Sequence, residues 1–148
     1  MNGELLFVDT NILLYAYDSS AGAKHDRARA LIADLWGSGA GCLSVQVLQE
    51  FVVNVTRKVP RPLDVDTVST IVSDLSRWRV HRPGPQDVLE AIELHRHHGV
   101  SFRDAKILRS ASALGCTTLY SEDLNDGQRY DGVRVRNPLT WHLSGYGR

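Results

Sequence analysis

The chain has 148 residues, with seventeen basic and seventeen acidic side chains and a formal net charge of zero. That length predicts one domain over 1–148 with a core of its own, and the balanced charge argues against non-specific nucleic-acid binding driven by phosphate neutralisation. No apolar run approaches the ~18 residues of a membrane helix, no basic segment leads a signal-like core, and Cys42 and Cys116 build no thiolate zinc framework, so a cytoplasmic protein with buried, reduced thiols and no membrane contact is expected.

Leu5 to Val8 is a short apolar run that stops at Asp9-Thr10-Asn11. It predicts a buried strand, and Ile12-Leu13-Leu14 predicts the first turns of a helix capped by Thr10 or Asn11. Asp18 to Gly22 reads as a loop. From about His25 to Trp36, the residues Ala28, Leu31, Ile32 and Leu35 form a helical stripe, ended by Gly37 to Gly41. Cys42-Leu43 is a brief strand. Ser44 then caps a helix with Leu48, Phe51, Val52 and Val55 as its stripe, stopping before Pro60.

A helix over Asp64 to Leu75 and a strand over Trp78 to His81 follow. Pro85 opens the next helix, with Val88, Leu89, Ile92 and Leu94 along one side. His95, His97 and His98 close it. Helix-end cations before a Gly99 cap explain them better than a metal site, which no nearby carboxylate or cysteine spacing completes. Ser101 to Asp104 makes a capping-box-like start to a helix running through Leu114. Cys116 to Tyr120 is a strand, Ser121 to Gly127 a loop, and Val133 to Arg136 a final strand. Strands alternating with helices predict an α/β fold with a largely parallel sheet. There is no Gly-rich phosphate loop.

Asp9 ends one apolar strand, Asp123 lies just past another, and Asp104 opens the helix feeding the second. In a parallel sheet these positions converge on the carboxyl edge, where ligands bind. Glu50, one to two turns into its helix, leans over the same edge. Each acid has a plainer reading: Asp9 as a helix cap, Asp104 as a capping-box member, Glu50 as a solvated flank. At about 5 Å and an effective dielectric near 20, each carboxylate pair repels by roughly 3 kcal/mol. Six such pairs would cost on the order of 20 kcal/mol, more than the ~5–15 kcal/mol stability of a domain. Four acids that meet must take up protons or bind a cation. An all-oxygen site suits Mg²⁺ or Mn²⁺, which polarises a phosphoryl oxygen and presents an activated water. No Ser-His-Asp or Cys-His arrangement in the sequence competes for that chemistry.

Val8-Asp9-Thr10-Asn11-Ile12-Leu13, Gln49-Glu50-Phe51, Ser101-Phe102-Arg103-Asp104-Ala105 and Tyr120-Ser121-Glu122-Asp123-Leu124 follow the motif order of PIN-domain nucleases. The tail, Asn125-Asp126-Gly127-Gln128 with Val133 through Asn137-Pro138, resembles the VapC-type toxins of that family. The resemblance implies a PIN-like three-layer domain, its central, mostly parallel sheet flanked by helices, and a metal-dependent endoribonuclease using Mg²⁺ or Mn²⁺ on RNA. By that resemblance Asp9, Glu50, Asp104 and Asp123 are the catalytic acidic quartet. Asp9 and Asp104 are the direct metal ligands, and Glu50 and Asp123 complete the shell. Thr10 and Asn11 match polar residues that hold the quartet in place, and Asp126 matches an extra acid of some members. The family often carries an aromatic where this chain has Arg103, which is open to two readings: a phosphate contact or an exposed arginine. VapC-type toxins pair with an antitoxin and commonly dimerise, so a cognate antitoxin and a homodimer are implied partners.

Two other classes stay open on the sequence. A catalytically silent PIN-like module holding RNA or protein would be favoured by loss of a quartet acid, and none is lost. A phosphatase with an Asp nucleophile usually needs a second Asp two positions on, where this chain has Asn11.

Overall fold

The apolar run at the start of the chain forms strand β1 (Leu6–Val8), with Phe7 and Val8 fully buried. The computed structural model describes residues 3–140; the remaining positions of the expected 1–148 domain lie outside the described residues. Helix α1 (Thr10–Ala16) follows at once. Its cap is Asp9 rather than Thr10 or Asn11. The strand runs right up to Asp9, which is left in extended backbone, and its carboxylate accepts from the Thr10 N–H at 2.7 Å.

The other elements are α2 (Ala23–Ser38), β2 (Gly41–Ser44), α3 (Val45–Arg57), α4 (Val65–Leu75), β3 (Arg79–His81), α5 (Pro85–His98), α6 (Phe102–Ala113), β4 (Thr118–Tyr120), β5 (Arg129–Tyr130) and β6 (Val133–Arg136). Local chemistry sets their ends. Ser44 accepts from the Val47 N–H, Asp64 from that of Thr67, and Ser101 from that of Asp104. Gly99 closes α5 in the left-handed region at φ 71°, with His95, His97 and His98 in the last turn.

The structure corrects the sequence-based expectations at three further places. The buried stripe of α3 is Val47, Phe51 and Val55, while Val52 is exposed. On α5, Ala91 and Leu94 face the core, and Val88, Leu89 and Ile92 stay exposed. The pair Arg129–Tyr130 is an unexpected strand, joined to β6 by a tight turn in which Asp131 and Gly132 both have positive φ. An Asp-Gly pair of this kind is a hairpin signal, but two residues are too few to show alternation.

The sheet order is β3-β2-β1-β4-β6-β5, parallel except for the β5–β6 edge pair. The chain moves outward from β1 to β2 to β3, then returns to place β4 against the other side of β1. Right-handed crossovers therefore put α1–α4 on one face and α5–α6 on the other. The reversal makes the carboxyl ends of β1 and β4 the switch point, where α/β sheets bind ligands. No helix among the described residues is long and apolar enough to cross a membrane.

Two tests of this packing follow. A Cβ on Gly41 would lie 2.6 Å from the Trp78 ring, which itself packs edge-on against Trp36. Gly41→Ala should cost about 1–3 kcal/mol by overpacking, read as a lower midpoint in thermal melts. On the other face, His81 Nδ1 lies 2.7 Å from Ser110 Oγ and its Nε2 3.5 Å from Asp87, which also accepts from Arg109. The fold thus brings together a serine, a histidine and an aspartate that the sequence does not mark. Ser110 is buried in the middle of α6, so the group serves as a polar tie between β3, α5 and α6.

Burial pushes the His81 imidazole below its ordinary value of 6.5, against the opposing pull of Asp87. The unfolded chain then binds that proton more readily than the folded one. The stabilisation is complete above 6.5 and is lost as pH falls below it. Urea melts from about pH 7 to pH 5 should show falling stability, with a shallower slope in His81→Gln.

Candidate active site

At the switch point four segments far apart in sequence meet. Asp9 is fully buried at the end of β1. Its Oδ1 accepts from the Thr10 N–H, and its Oδ2 accepts from the Ser121 hydroxyl at 3.0 Å. Glu50 arrives on α3, one turn past buried Val47, and accepts from the Thr10 hydroxyl at 2.5 Å and the Gln46 amide at 3.2 Å. Asp104 stands in the first turn of α6, where Ser101 caps its N–H and frees its carboxylate to face the cluster. Asp123 follows β4, takes a hydrogen bond from the Asn11 amide at 2.9 Å, and donates its own N–H to Ser121 Oγ. Thr10, Asn11, Glu50, Asp104 and Asp123 line one cleft of about 630 Å³, together with Asn54 and Lys58.

Arg103 lies at the centre. It is neither a plain exposed arginine nor one left open to a phosphate. Nη2 donates to Asp9 Oδ1 at 2.9 Å, Glu50 Oε1 at 2.6 Å and Thr10 Oγ1 at 3.0 Å. Nη1 donates to Asp104 Oδ1 at 3.0 Å and Asp9 Oδ2 at 3.3 Å, and Nε donates to Glu50 Oε2 at 3.3 Å. Asp9 and Glu50 are thus each gripped by two nitrogens, the geometry in which a guanidinium binds carboxylates most strongly. The repulsion expected of four meeting acids is answered here by a cation from the chain itself.

The electrostatics agree with this arrangement. Burial works to raise the Glu50 carboxyl, but hydrogen bonds from Arg103, Thr10 and Gln46 outweigh it and hold Glu50 below its ordinary value. Asp123 makes no hydrogen bond to the guanidinium. Burial, and then the charge of Asp9, push its carboxyl above the ordinary value. One arginine does not neutralise the cluster.

A hard divalent cation fits this donor set in kind, because every charged donor is a carboxylate oxygen. In position the fit is incomplete. Among the described residues no three His, Cys, Asp or Glu side chains are grouped tightly enough to hold a metal ion. A flat guanidinium takes its carboxylates around its rim, whereas a metal ion draws them to a point. Asp126 contributes elsewhere: it accepts from the Asn137 N–H at 3.1 Å and lies 3.9 Å from Arg136. Ser121, which ties Asp9 to Asp123, escapes sequence reasoning because it looks like ordinary loop chemistry. Its place directly after a buried strand was the available signal.

The PIN domain family matches the chain over residues 6–131. No curated protein sequence matches it. Among solved structures, a toxin–antitoxin complex from Klebsiella pneumoniae is similar with a TM-score of 0.64 and 20% identity, covering 91% of this chain and 98% of that one. VapBC2 from Rickettsia felis, bound to a DNA fragment from its promoter, gives 0.61 and 18%, covering 90% and 98%. VapC20 from Mycobacterium tuberculosis, a toxin that cleaves the sarcin-ricin loop, gives 0.59 and 22%, covering 80% and 89%. At these identities the likeness is one of fold.

Proposed function

The chain belongs to the PIN-domain family, and on that premise we propose that it is a metal-dependent endoribonuclease, the toxin of a toxin–antitoxin pair, working in the cytoplasm as one nuclease domain over 1–148. The observation that carries the reading is the gathering of Asp9, Glu50 and Asp104 on one cationic head, with Asp123 beside them, at the switch point of the sheet. Asp9 and Asp104 would hold Mg²⁺ or Mn²⁺, with Glu50 and Asp123 completing the shell. Such an ion supplies charge stabilisation on a phosphoryl oxygen and a water of lowered pKa.

The chain's own residues do the positioning. The Thr10 N–H and the Ser121 hydroxyl fix both oxygens of Asp9. Thr10 and Gln46 aim Glu50, and Asn11 aims Asp123. Lys58, in the wall of the same cleft, offers a positive charge to an RNA backbone. Asp126 ranks below the four acids.

An antitoxin and a second copy of the chain are the proposed partners. Val52 and Val53 on α3, and Val88, Leu89 and Ile92 on α5, are exposed apolar surface of the kind partners cover. Relatives of this fold include toxin–antitoxin complexes. The second reading, a catalytically silent module for RNA or protein, draws on one observation: Arg103 already holds three of the four acids.

The test is a mixed cellular RNA pool incubated with purified, antitoxin-free protein in Mn²⁺, in Mg²⁺ and in chelator. Discrete cuts that need the metal are expected. Intact RNA under every condition, from folded protein that also takes up no metal, would transfer the case to the silent module; metal uptake without cutting would leave the site standing and point to a missing substrate.

A further inference from the structure

We propose that Arg103 is a built-in competitor of the divalent cation: its guanidinium and the metal ion take the same carboxylate oxygens, so the site loads only when the arginine lets go. The inference rests on the metal-dependent reading above and goes beyond it, to what sets the affinity for the ion.

The geometry is the argument. Five of the six hydrogen bonds from Arg103 end on Asp9, Glu50 and Asp104. Both oxygens of Asp9 and both of Glu50 accept from it, so neither acid has an oxygen left outside the guanidinium's grip. Asp104, the next residue along α6, completes the ring. A metal ion drawing these oxygens to one point must displace the guanidinium from between them. The arginine also has room to leave. Its side chain is 33% exposed, and the cleft continues past it to Asn54 and Lys58.

Displacement makes metal affinity the product of two equilibria. The apparent dissociation constant rises by the reciprocal of the fraction of molecules in which Arg103 has released the acids. A guanidinium with two double-pronged carboxylate pairs should stay bound in the great majority of molecules. Wild-type protein should therefore bind Mn²⁺ at least about tenfold more weakly than a chain without the arginine. The exchange also works in reverse. Without metal, Arg103 holds the acids together, so its loss should lower the melting temperature in chelator and enlarge the rise on adding Mn²⁺.

The experiment is calorimetric titration of Mn²⁺ into chelator-stripped, full-length wild type, Arg103→Gln and Arg103→Lys, with melting curves of each in chelator and in Mn²⁺. Tighter binding by Arg103→Gln, at least about tenfold, with a lower melting point in chelator and a larger Mn²⁺-induced rise, supports the proposal. Arg103→Lys keeps one charge but cannot span three carboxylates, so an intermediate affinity is expected. If Arg103→Gln fails to fold without metal, the lysine variant decides alone: tighter than wild type supports, equal or weaker overturns. Equal or weaker binding by folded Arg103→Gln overturns the proposal and leaves the nuclease reading standing. If wild type and both variants take up no Mn²⁺, the proposal falls and the metal-dependent reading falls with it.

Discussion

Asp9→Asn should abolish RNA cleavage while leaving a folded protein. Both oxygens of Asp9 are occupied, Oδ1 by the Thr10 N–H and Arg103, Oδ2 by Ser121 and Arg103. An amide accepts at one end only. The Asn oxygen can keep the Thr10 contact, leaving the amide nitrogen to face the Ser121 hydroxyl and a guanidinium N–H that can only donate. The charge that would bind the metal is lost, and the neighbouring acids lose a fixed reference. Outer-shell partners of metal sites alone are worth about 10–100-fold in activity, so removal of a proposed direct ligand should cost about 10²-fold or more. The stability cost should stay near 1–3 kcal/mol, the range for an imperfectly paired buried polar group. Cleavage rates on a defined RNA, with circular dichroism melts alongside, provide the check. A folded Asp9→Asn that cuts at the wild-type rate would remove Asp9 from the chemistry and, with it, the proposed site.

Phe51→Ala should show the largest loss of stability, about 3–5 kcal/mol in urea melts, the usual cost of emptying a buried phenyl site. Phe51 is fully buried, next in sequence to Glu50, and meets the Tyr17 ring edge-on at 5.5 Å. Its removal loosens α3 where it carries Glu50, so activity should fall even under conditions where the protein remains folded. A second measurement separates the two effects. Glu50→Gln leaves the Phe51 packing alone and should lose activity with much less change in the urea midpoint. Equal loss of stability in the two variants would mean that the Glu50 contacts, rather than the phenyl ring, anchor the helix.

Much of the fold could be read from local chemistry. β1 follows from four apolar residues stopped by an acid, and the caps at Ser44, Asp64, Ser101 and Gly99 all sit where side-chain type places them. The two misread stripes have a common source. On α3 and α5 the apolar residues outnumber those the core can take. Which of them turn inward is settled by packing against α1, α4 and α6, and periodicity alone cannot see that choice. Val52 and Leu89 ended outside for this reason. The place of Arg103 was hidden for another. A sequence shows a positive charge beside an acid; only the fold brings Asp9 and Glu50, 94 and 53 positions away, within reach of its guanidinium.

The insertion of β4 between β1 and β6 has a consequence for synthesis. β1 lies next to a strand more than a hundred residues downstream, pairing Phe7 with Leu119. Such a contact has high contact order and forms late. A growing polypeptide that has reached only α5 carries Asp9 and Glu50 but neither Asp104 nor Asp123. It also lacks Ser121, which steadies Asp9, and Arg103, which tethers both acids. Chains emerge at about 5–20 residues per second, so for several seconds on the ribosome this protein lacks the residues that complete the site. Any destructive power it has toward RNA arrives only with its last third.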